Sequence, residues 1–213
     1  MSRVIPANEY RRARWKNGLG WTREIARGHA PPAPAAAHSR ADVAGGDDWD
    51  WRLSIAEIEQ DAAFSVFPGV DRELVLLRGN GLRLRFHDGE ARELLPPHDG
   101  LRFAGERALV GELLDGPTHD FNLMWRRGAL TAELQRRPLV GPMLFFADPG
   151  TTWAIHLLAG EARFDAASGL PPLAASDTAL LDGGGDRVRA LLEGGGELLA
   201  IRLVRRPGAE ANQ

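Results

Sequence analysis

The sequence predicts an all-β protein folded as two pseudo-repeated barrels or sandwiches in one compact body, and three observations carry that expectation. The 25 Gly and 14 Pro among 213 residues make a turn-rich chain, which suits many short strands better than a few long helices. Apolar and polar residues alternate at the period of a half-buried strand, with Trp51, Leu53 and Ile55 against Arg52, Ser54 and Ala56, and Leu82, Leu84 and Phe86 against Arg83 and Arg85. Finally, Glu73–Gly79 (Glu-Leu-Val-Leu-Leu-Arg-Gly) is echoed by Ala154–Gly160 (Ala-Ile-His-Leu-Leu-Ala-Gly). Gly116 also precedes Arg126-Arg127 as Gly195 precedes Arg205-Arg206. A nearly constant offset of about 80 positions is how two copies of one small β unit read in a sequence.

Taken in chain order, Met1 to Gly18 is interrupted by Arg3, Glu9, Arg11, Arg12, Arg14 and Lys16 and lacks the apolar run of a secretory signal. A cytoplasmic protein is expected. A short helix is expected near Glu9–Arg14. Trp15–Ile25 is broken by glycine yet rich in Trp, Lys, Asn, Arg and Glu, a composition suited to an ordered loop that presents side chains. Residues 30–48 hold three prolines, a run of alanines and then Gly45, Gly46, Asp47 and Asp48; with neither helical nor strand period they read as a flexible surface loop. Strands dominate thereafter. Pro68-Gly69 reads as a turn, Asn80-Gly81 as the closure of a hairpin between Glu73–Arg78 and Leu82–Phe86, and Asp88-Gly89 as the next turn.

Composition then excludes several functions. Apolar residues at 44% with 26% charged are ordinary for a globular chain. The 26 Lys and Arg against 29 Asp and Glu leave a net charge of −3, and with no evident DNA-reading helix no nucleic-acid partner is expected. The purest apolar runs, Leu74–Leu77 and Met143–Ala147, fall far short of the roughly 18 residues that span a bilayer. No membrane partner is expected. With no Cys, disulfides, thiolate nucleophiles, iron–sulfur clusters and Cys-ligated zinc are excluded.

A metal would need His and carboxylates, but His29, His38, His87, His98, His119 and His156 form no His-x-His or His-x-x-x-His pair. Neither a metal nor another cofactor is expected. Ser54, Ser65, Ser168 and Ser176 lie in no Gly-x-Ser-x-Gly elbow, and Thr118-His119-Asp120 offers proximity without orientation. Gly18-Leu19-Gly20 lacks the strand-to-helix context of a phosphate loop, and Gly183–Gly185 reads as a turn.

Four strings stand out: Trp15-Lys16-Asn17-Gly18-Leu19-Gly20-Trp21-Thr22-Arg23-Glu24-Ile25, Trp51-Arg52-Leu53-Ser54-Ile55-Ala56, Phe64-Ser65-Val66-Phe67-Pro68-Gly69-Val70-Asp71-Arg72, and Gly116-Pro117-Thr118-His119-Asp120-Phe121-Asn122-Leu123-Met124. Across most of Trp15–Met124 they closely resemble the HutD/Ves family. Its pattern is a Trp-Lys-Asn-Gly-Gly-Gly opening, a Trp-Arg-Leu-Ser-Ile-Ala strand, a Phe-Ser-x-Phe-Pro-Gly-x-Asp-Arg turn and an Asp-Phe-Asn-Leu-Met strand. The chain departs from it at Leu19, in place of the middle glycine, and at Ala62-Ala63, where Gly-Pro often stands. The resemblance implies a bicupin, with cupin-like halves over 1–125 and 126–213, no metal, and a regulatory role in histidine utilisation.

On alternating strands, Arg52 and Ser54 share one face and Asp120, Asn122 and Met124 share another, with Trp51, Leu53, Phe121 and Leu123 opposite. If the polar faces meet in a cavity, Arg52 or Lys16 holds a carboxylate, Asn17, Ser54 and Asn122 fix polar edges, and Trp15 or Phe67 stacks on a planar group. Arg23, Glu24, Asp71 and Arg72 complete the candidate set. A structural alternative makes Asp71 and Arg72 bridges between strands, Trp15 and Trp51 core anchors, and Arg52 a counter-ion for Asp120 or Glu24. The expected guest is a small acidic metabolite, and the resemblance to a family of histidine utilisation implies one such as N-formylglutamate or urocanate. The competing expectations are a metal-independent enzyme using Glu24, Asp71, Asp120 or His119, and a protein–protein adaptor. A homodimer paired through sheet edges is a further expectation.

Overall fold

Residues 1–30 and 48–207 are described by the computed structural model; apart from its two end residues, the loop expected over 30–48 lies outside the described residues. The period-two segments form strands: β1 (Arg3–Ile5), β2 (Arg11–Arg14), β3 (Gly20–Gly28), β4 (Trp51–Ile58) and β5 (Ala62–Ala63). They continue as β6 (Val70–Arg78), β7 (Leu82–Phe86), β8 (Ala91–Leu94), β9 (Gly100–Ala104), β10 (Leu109–Leu113) and β11 (Thr118–Arg126). The rest are β12 (Leu130–Ala147), β13 (Thr151–Phe164), β14 (Leu173–Ala174), β15 (Thr178–Asp182) and β16 (Val188–Arg205). Among the described residues the helical elements are two 3-10 turns, Ala7–Glu9 and Ala166–Ser168, and no helix is long and apolar enough to cross a membrane.

The chain divides into two units. One comprises 10–28 and 51–128, and the described residues of the other fall within 1–9, 29–50 and 129–213. The first unit holds two antiparallel sheets, ordered β2-β3-β4-β11-β6-β9 and β5-β10-β7-β8. Ile58, Leu74, Leu76 and Phe103 from the first sheet pack with Leu82, Leu84, Phe86, Leu94 and Leu109 from the second. Each such fully buried side chain contributes about 1.5–3 kcal/mol, and Phe86 and Phe103 meet edge to face at 5.5 Å. The second unit is one sheet, β1-β15-β13-β16-β12, with β14 added on β13, around a core that includes Leu139, Phe145, Ile155, Leu157, Leu181, Leu192 and Leu198. A single cut at 125/126 does not describe this arrangement, because Arg3, Val4 and Ile5 pair with Leu180, Ala179 and Thr178 of β15.

Three local expectations change. Glu9–Arg14 is not helical: Arg11–Arg14 is an edge strand held by its ladder to β3, with Arg11 opposite Glu24 and Arg14 opposite Trp21. The loop expected over Trp15–Ile25 shrinks to a turn, since β3 begins at Gly20. Asn80-Gly81 closes no hairpin, because β6 pairs with β11 and β9 while β7 pairs with β10 and β8 in the other sheet. A tight two-residue hairpin needs positive φ at Asn80, but the positive values fall on Gly79 (102°) and Gly81 (137°), and the Asn80 amide donates to Asp115 at 2.9 Å. Asp88-Gly89 does close the β7–β8 hairpin, with Phe86 N–H donating to the Glu90 carbonyl at 2.8 Å. The echoed segments lie on β6 and β13, each running to a glycine of positive φ, Gly79 at 102° and Gly160 at 88°.

Candidate functional site

The site is built on neighbouring strands of the larger sheet in the first unit. Alternation puts Arg52, Ser54 and Ala56 on one face of β4, and register aligns them with β11: Met124 opposite Arg52, Asn122 opposite Ser54 and Asp120 opposite Ala56. On its other side β11 aligns Met124 with Arg72, Asn122 with Leu74 and Asp120 with Leu76 of β6. Paired residues project to the same side of a sheet. The face therefore carries three rungs, Arg52–Met124–Arg72, Ser54–Asn122–Leu74 and Ala56–Asp120–Leu76.

The first two rungs and Ala56 form one wall of a cavity of about 490 Å³. Trp15, Lys16 and Asn17 close it on one side, with Arg14 and Thr22, and Ala63, Phe64, Ser65 and Phe67 on another. Its position follows from the turn after β2. Trp15 N–H donates to the Gly20 carbonyl at 2.9 Å, the indole Nε1 donates to Thr22 Oγ1 at 2.8 Å, and Asn17 Oδ1 accepts from Leu19 N–H at 3.0 Å. Positive φ falls on Gly18 (73°) and not on Leu19, so the backbone does not need the glycine that the family pattern has there. Gly20 is different: a Cβ would stand 2.5 Å from the Glu57 carbonyl oxygen and 3.2 Å from the Trp15 ring. Gly20→Ala is expected to destabilise the protein by about 1–3 kcal/mol, read as a lower urea midpoint; an unchanged midpoint would show that the turn yields freely.

Electrostatically the cavity is one-sided. Arg14, Lys16, Arg52 and Arg72 line it, and no carboxylate does among the described residues. Arg52 is already paired, its Nε donating to Glu24 Oε2 at 2.8 Å. Burial works to raise Glu24, but the charge and hydrogen bond of Arg52, with Arg11 and Arg27, hold its carboxyl below the usual range. Arg72 is only 5% exposed. Its contacts to the Ser65 carbonyl and Asn122 Oδ1 are both long at 3.4 Å, and its Nε has no hydrogen-bond partner among the described residues. Phe64, Phe67 and Phe103 surround the guanidinium at 5.2–5.7 Å from their ring centres, a weakly attractive cage for a cation. Burial, helped by the nearby Arg52 charge, pushes Arg72 down to about 10; it stays charged at neutral pH. A buried charge of this kind is costly unless an anion meets it.

Of the residues expected from the sequence, Trp15, Lys16, Asn17, Arg52, Ser54, Phe67, Arg72, Asn122 and Met124 line the cavity. The other four do not. Arg23 lies on the opposite face of β3 and pairs with Glu57 at 2.7 Å. Glu24 is the ion-pair partner of Arg52 at 2.8 Å, as the counter-ion alternative had it. Asp71 bridges strands through Arg127 at 3.0 Å and Arg102 at 3.4 Å. Asp120 is fully buried on the third rung, where Thr118 Oγ1 donates to one carboxyl oxygen at 2.9 Å and the other has no partner among the described residues. Burial, against that one bond, pushes its carboxyl up to about 7. His119 points to the other face beside Glu57, and burial is the largest influence holding its imidazole below the ordinary value.

Sequence reasoning missed Arg14, Thr22, Ala56, Ala63, Phe64, Ser65 and Leu74. Leu74 and Ala56 were findable, being two positions along the same strand faces from Arg72 and Ser54, and Phe64-Ser65 sit inside a recognised string. Arg14 carried no such signal, because its place depends on β2 pairing with β3. Among the described residues no three His, Asp or Glu side chains converge as metal ligands.

An all-β, cupin-like protein with a cation-lined cavity of small-molecule size is the class that this fold and site define. The chain belongs to the HutD family, whose family model matches residues 7–200. It is 38% identical over 132 residues to an uncharacterized 21.2 kDa protein in the hutC 3' region of Pseudomonas putida, a match covering 62% of each chain. It is also 38% identical over 122 residues to protein Ves of Cronobacter sakazakii, covering 57% of this chain and 59% of that one. The chain thus spans about six-tenths of the length of the curated relatives it matches. HutD from Pseudomonas fluorescens SBW25 superposes with a TM-score of 0.76 at 29% identity, over 97% of this chain and 100% of that one. The bacterial pirin YhhW from Escherichia coli, in complex with nickel(II), has a TM-score of 0.64 at 10% identity over 97% of this chain and 100% of its own, a likeness of fold alone.

Proposed function

We propose that this chain binds a small acidic metabolite in the cation-lined cavity and so serves a regulatory role in histidine utilisation in the cytoplasm, without a metal. N-formylglutamate and urocanate are the pathway acids that fit this reading. The observation that carries it is Arg72, a buried guanidinium at the cavity wall with no carboxylate partner among the described residues. Charge-assisted hydrogen bonds to a ligand carboxylate supply what the protein leaves unmet. Asn122 and Ser54 add neutral polar contacts, and Phe64, Phe67 and Trp15 add ring faces for a planar group. The relative in the hutC 3' region of Pseudomonas putida supports the link to histidine utilisation. Glu24, Asp71, Asp120 and His119, the acid–base candidates, do not line the cavity, which favours binding over turnover.

The test is a thermal-shift screen, confirmed by calorimetry, of histidine, urocanate, N-formylglutamate, glutamate and unrelated dicarboxylates, since a ligand of the native state raises Tm. A selective shift by a pathway acid supports the reading, and silence across the panel overturns it. Arg52→Ala is expected to weaken binding of the acid that shifts Tm by about 1.5 kcal/mol or more. Unchanged affinity in a folded variant eliminates Arg52 as an anchor.

A further inference from the structure

Of the 26 Lys and Arg side chains in the sequence 25 are arginine, and Lys16 is the only lysine. It lines the cavity with three of those arginines, Arg14, Arg52 and Arg72, and no carboxylate lines that cavity among the described residues. Lys16 is exposed and has no carboxylate partner among the described residues, whereas Arg72 is buried with its Nε unpartnered. A guanidinium in place of Lys16 would supply the same charge. What an amine adds is reactivity, since it can shed its proton and attack a carbonyl carbon, which a guanidinium does not do. We propose that Lys16 is an acylation site, modified by an acyl phosphate whose phosphate the cavity arginines hold, and that acylation lowers the affinity of the cavity for acids.

This inference rests on the reading of the cavity as an anion site and adds a means of regulating it. Arginine binds phosphate oxygens through paired N–H donors, and Arg72 has a donor left to give. An acyl phosphate seated there keeps its acyl carbon in the cavity that the Lys16 amine also lines, so that transfer gains from proximity. The free amine attacks that carbon. An N–C bond forms, the acyl C–O bond breaks, inorganic phosphate leaves and the proton of the nitrogen passes to water. The product is a neutral amide, so one of the four cationic groups at the cavity loses its charge and its side chain grows by the acyl group. Both changes oppose the entry of an acid.

The experiment treats the full chain with acetyl phosphate and, separately, with an uncharged acetylating ester. Besides Lys16 the chain offers its N-terminal amine, which pairs with Asp182 at 2.9 Å, and peptide mapping by mass spectrometry separates the two. Taking the ratio of the rates with the two reagents cancels the intrinsic reactivity of each amine. At Lys16 this ratio is expected to exceed its value at the N-terminus by about tenfold or more. It should fall to the N-terminal value in Arg72→Met and in excess inorganic phosphate. Lys16→Arg should leave label at the N-terminus alone. Protein acetylated at Lys16 is then expected to bind the acid that shifts Tm about threefold or more weakly, its Tm without ligand confirming the fold. Equal ratios at the two amines overturn the acylation site and leave the anion reading to the thermal-shift panel. A preference that survives both Arg72→Met and excess phosphate overturns delivery through the cavity. Unchanged affinity after acetylation overturns the regulatory role, and silence of the panel overturns that role together with the anion reading itself.

Discussion

Replacing Arg72 by methionine is expected to stabilise the protein and to remove its affinity for acids. The guanidinium is buried among Phe64, Phe67 and Phe103 with only long contacts to Ser65 and Asn122. Its desolvation is therefore poorly offset in the free protein. An unbranched thioether of similar reach fills the same aromatic cage without that cost. Replacement of buried ionic groups by apolar side chains of matching volume is often stabilising by about 1–4 kcal/mol, which should appear as a higher urea midpoint. Binding moves the opposite way: loss of a charge-assisted bond costs about 1.5–3 kcal/mol, or roughly 10- to 150-fold in Kd. Opposite changes in stability and affinity are the signature of a residue kept for binding at the expense of stability. A variant that is less stable and still binds would instead make Arg72 a structural bridge between strands.

Asp120→Asn is expected to flatten the dependence of stability on pH. Asp120 keeps its proton up to about pH 7 because it is buried with one carboxyl oxygen unpartnered among the described residues, whereas an unfolded aspartate releases it near ~3.9. Between these values the folded chain binds the proton and the unfolded chain does not, so stability falls as pH rises through this window. The deficit reaches at most about 4 kcal/mol above pH 7 and vanishes below about pH 4. An amide carries no such charge. Denaturation of both proteins at acidic and at mildly alkaline pH should show the variant gaining most on the alkaline side. Parallel pH profiles would mean that Asp120 stays ionised, held by a partner such as bound water.

Much of the cavity was written in local pattern. Period-two alternation assigns Arg52 and Ser54 to one face of β4, and Asn122 and Met124 to one face of β11, because successive side chains of a strand point to opposite sides whatever the strand pairs with. The Asp88-Gly89 turn was legible for a similar reason, since the conformation depends on the glycine itself. Asn80-Gly81 misled because the same dipeptide serves a hairpin or a crossing between sheets, and pairing partners far along the chain decide which. Arg11–Arg14 misled likewise, as its ladder to β3 outweighs any local preference for helix.

The β class, the strand faces and the family are legible along the chain, because periodicity, turn chemistry and ordered motifs are properties of neighbouring residues. Which charges are met and which are not is settled by the fold. Glu24 reaches Arg52 and Asp71 reaches Arg127, while Arg72, on the same rung as Arg52, is buried without a carboxylate among the described residues. That difference arises from register and burial, which depend on contacts between strands distant in sequence.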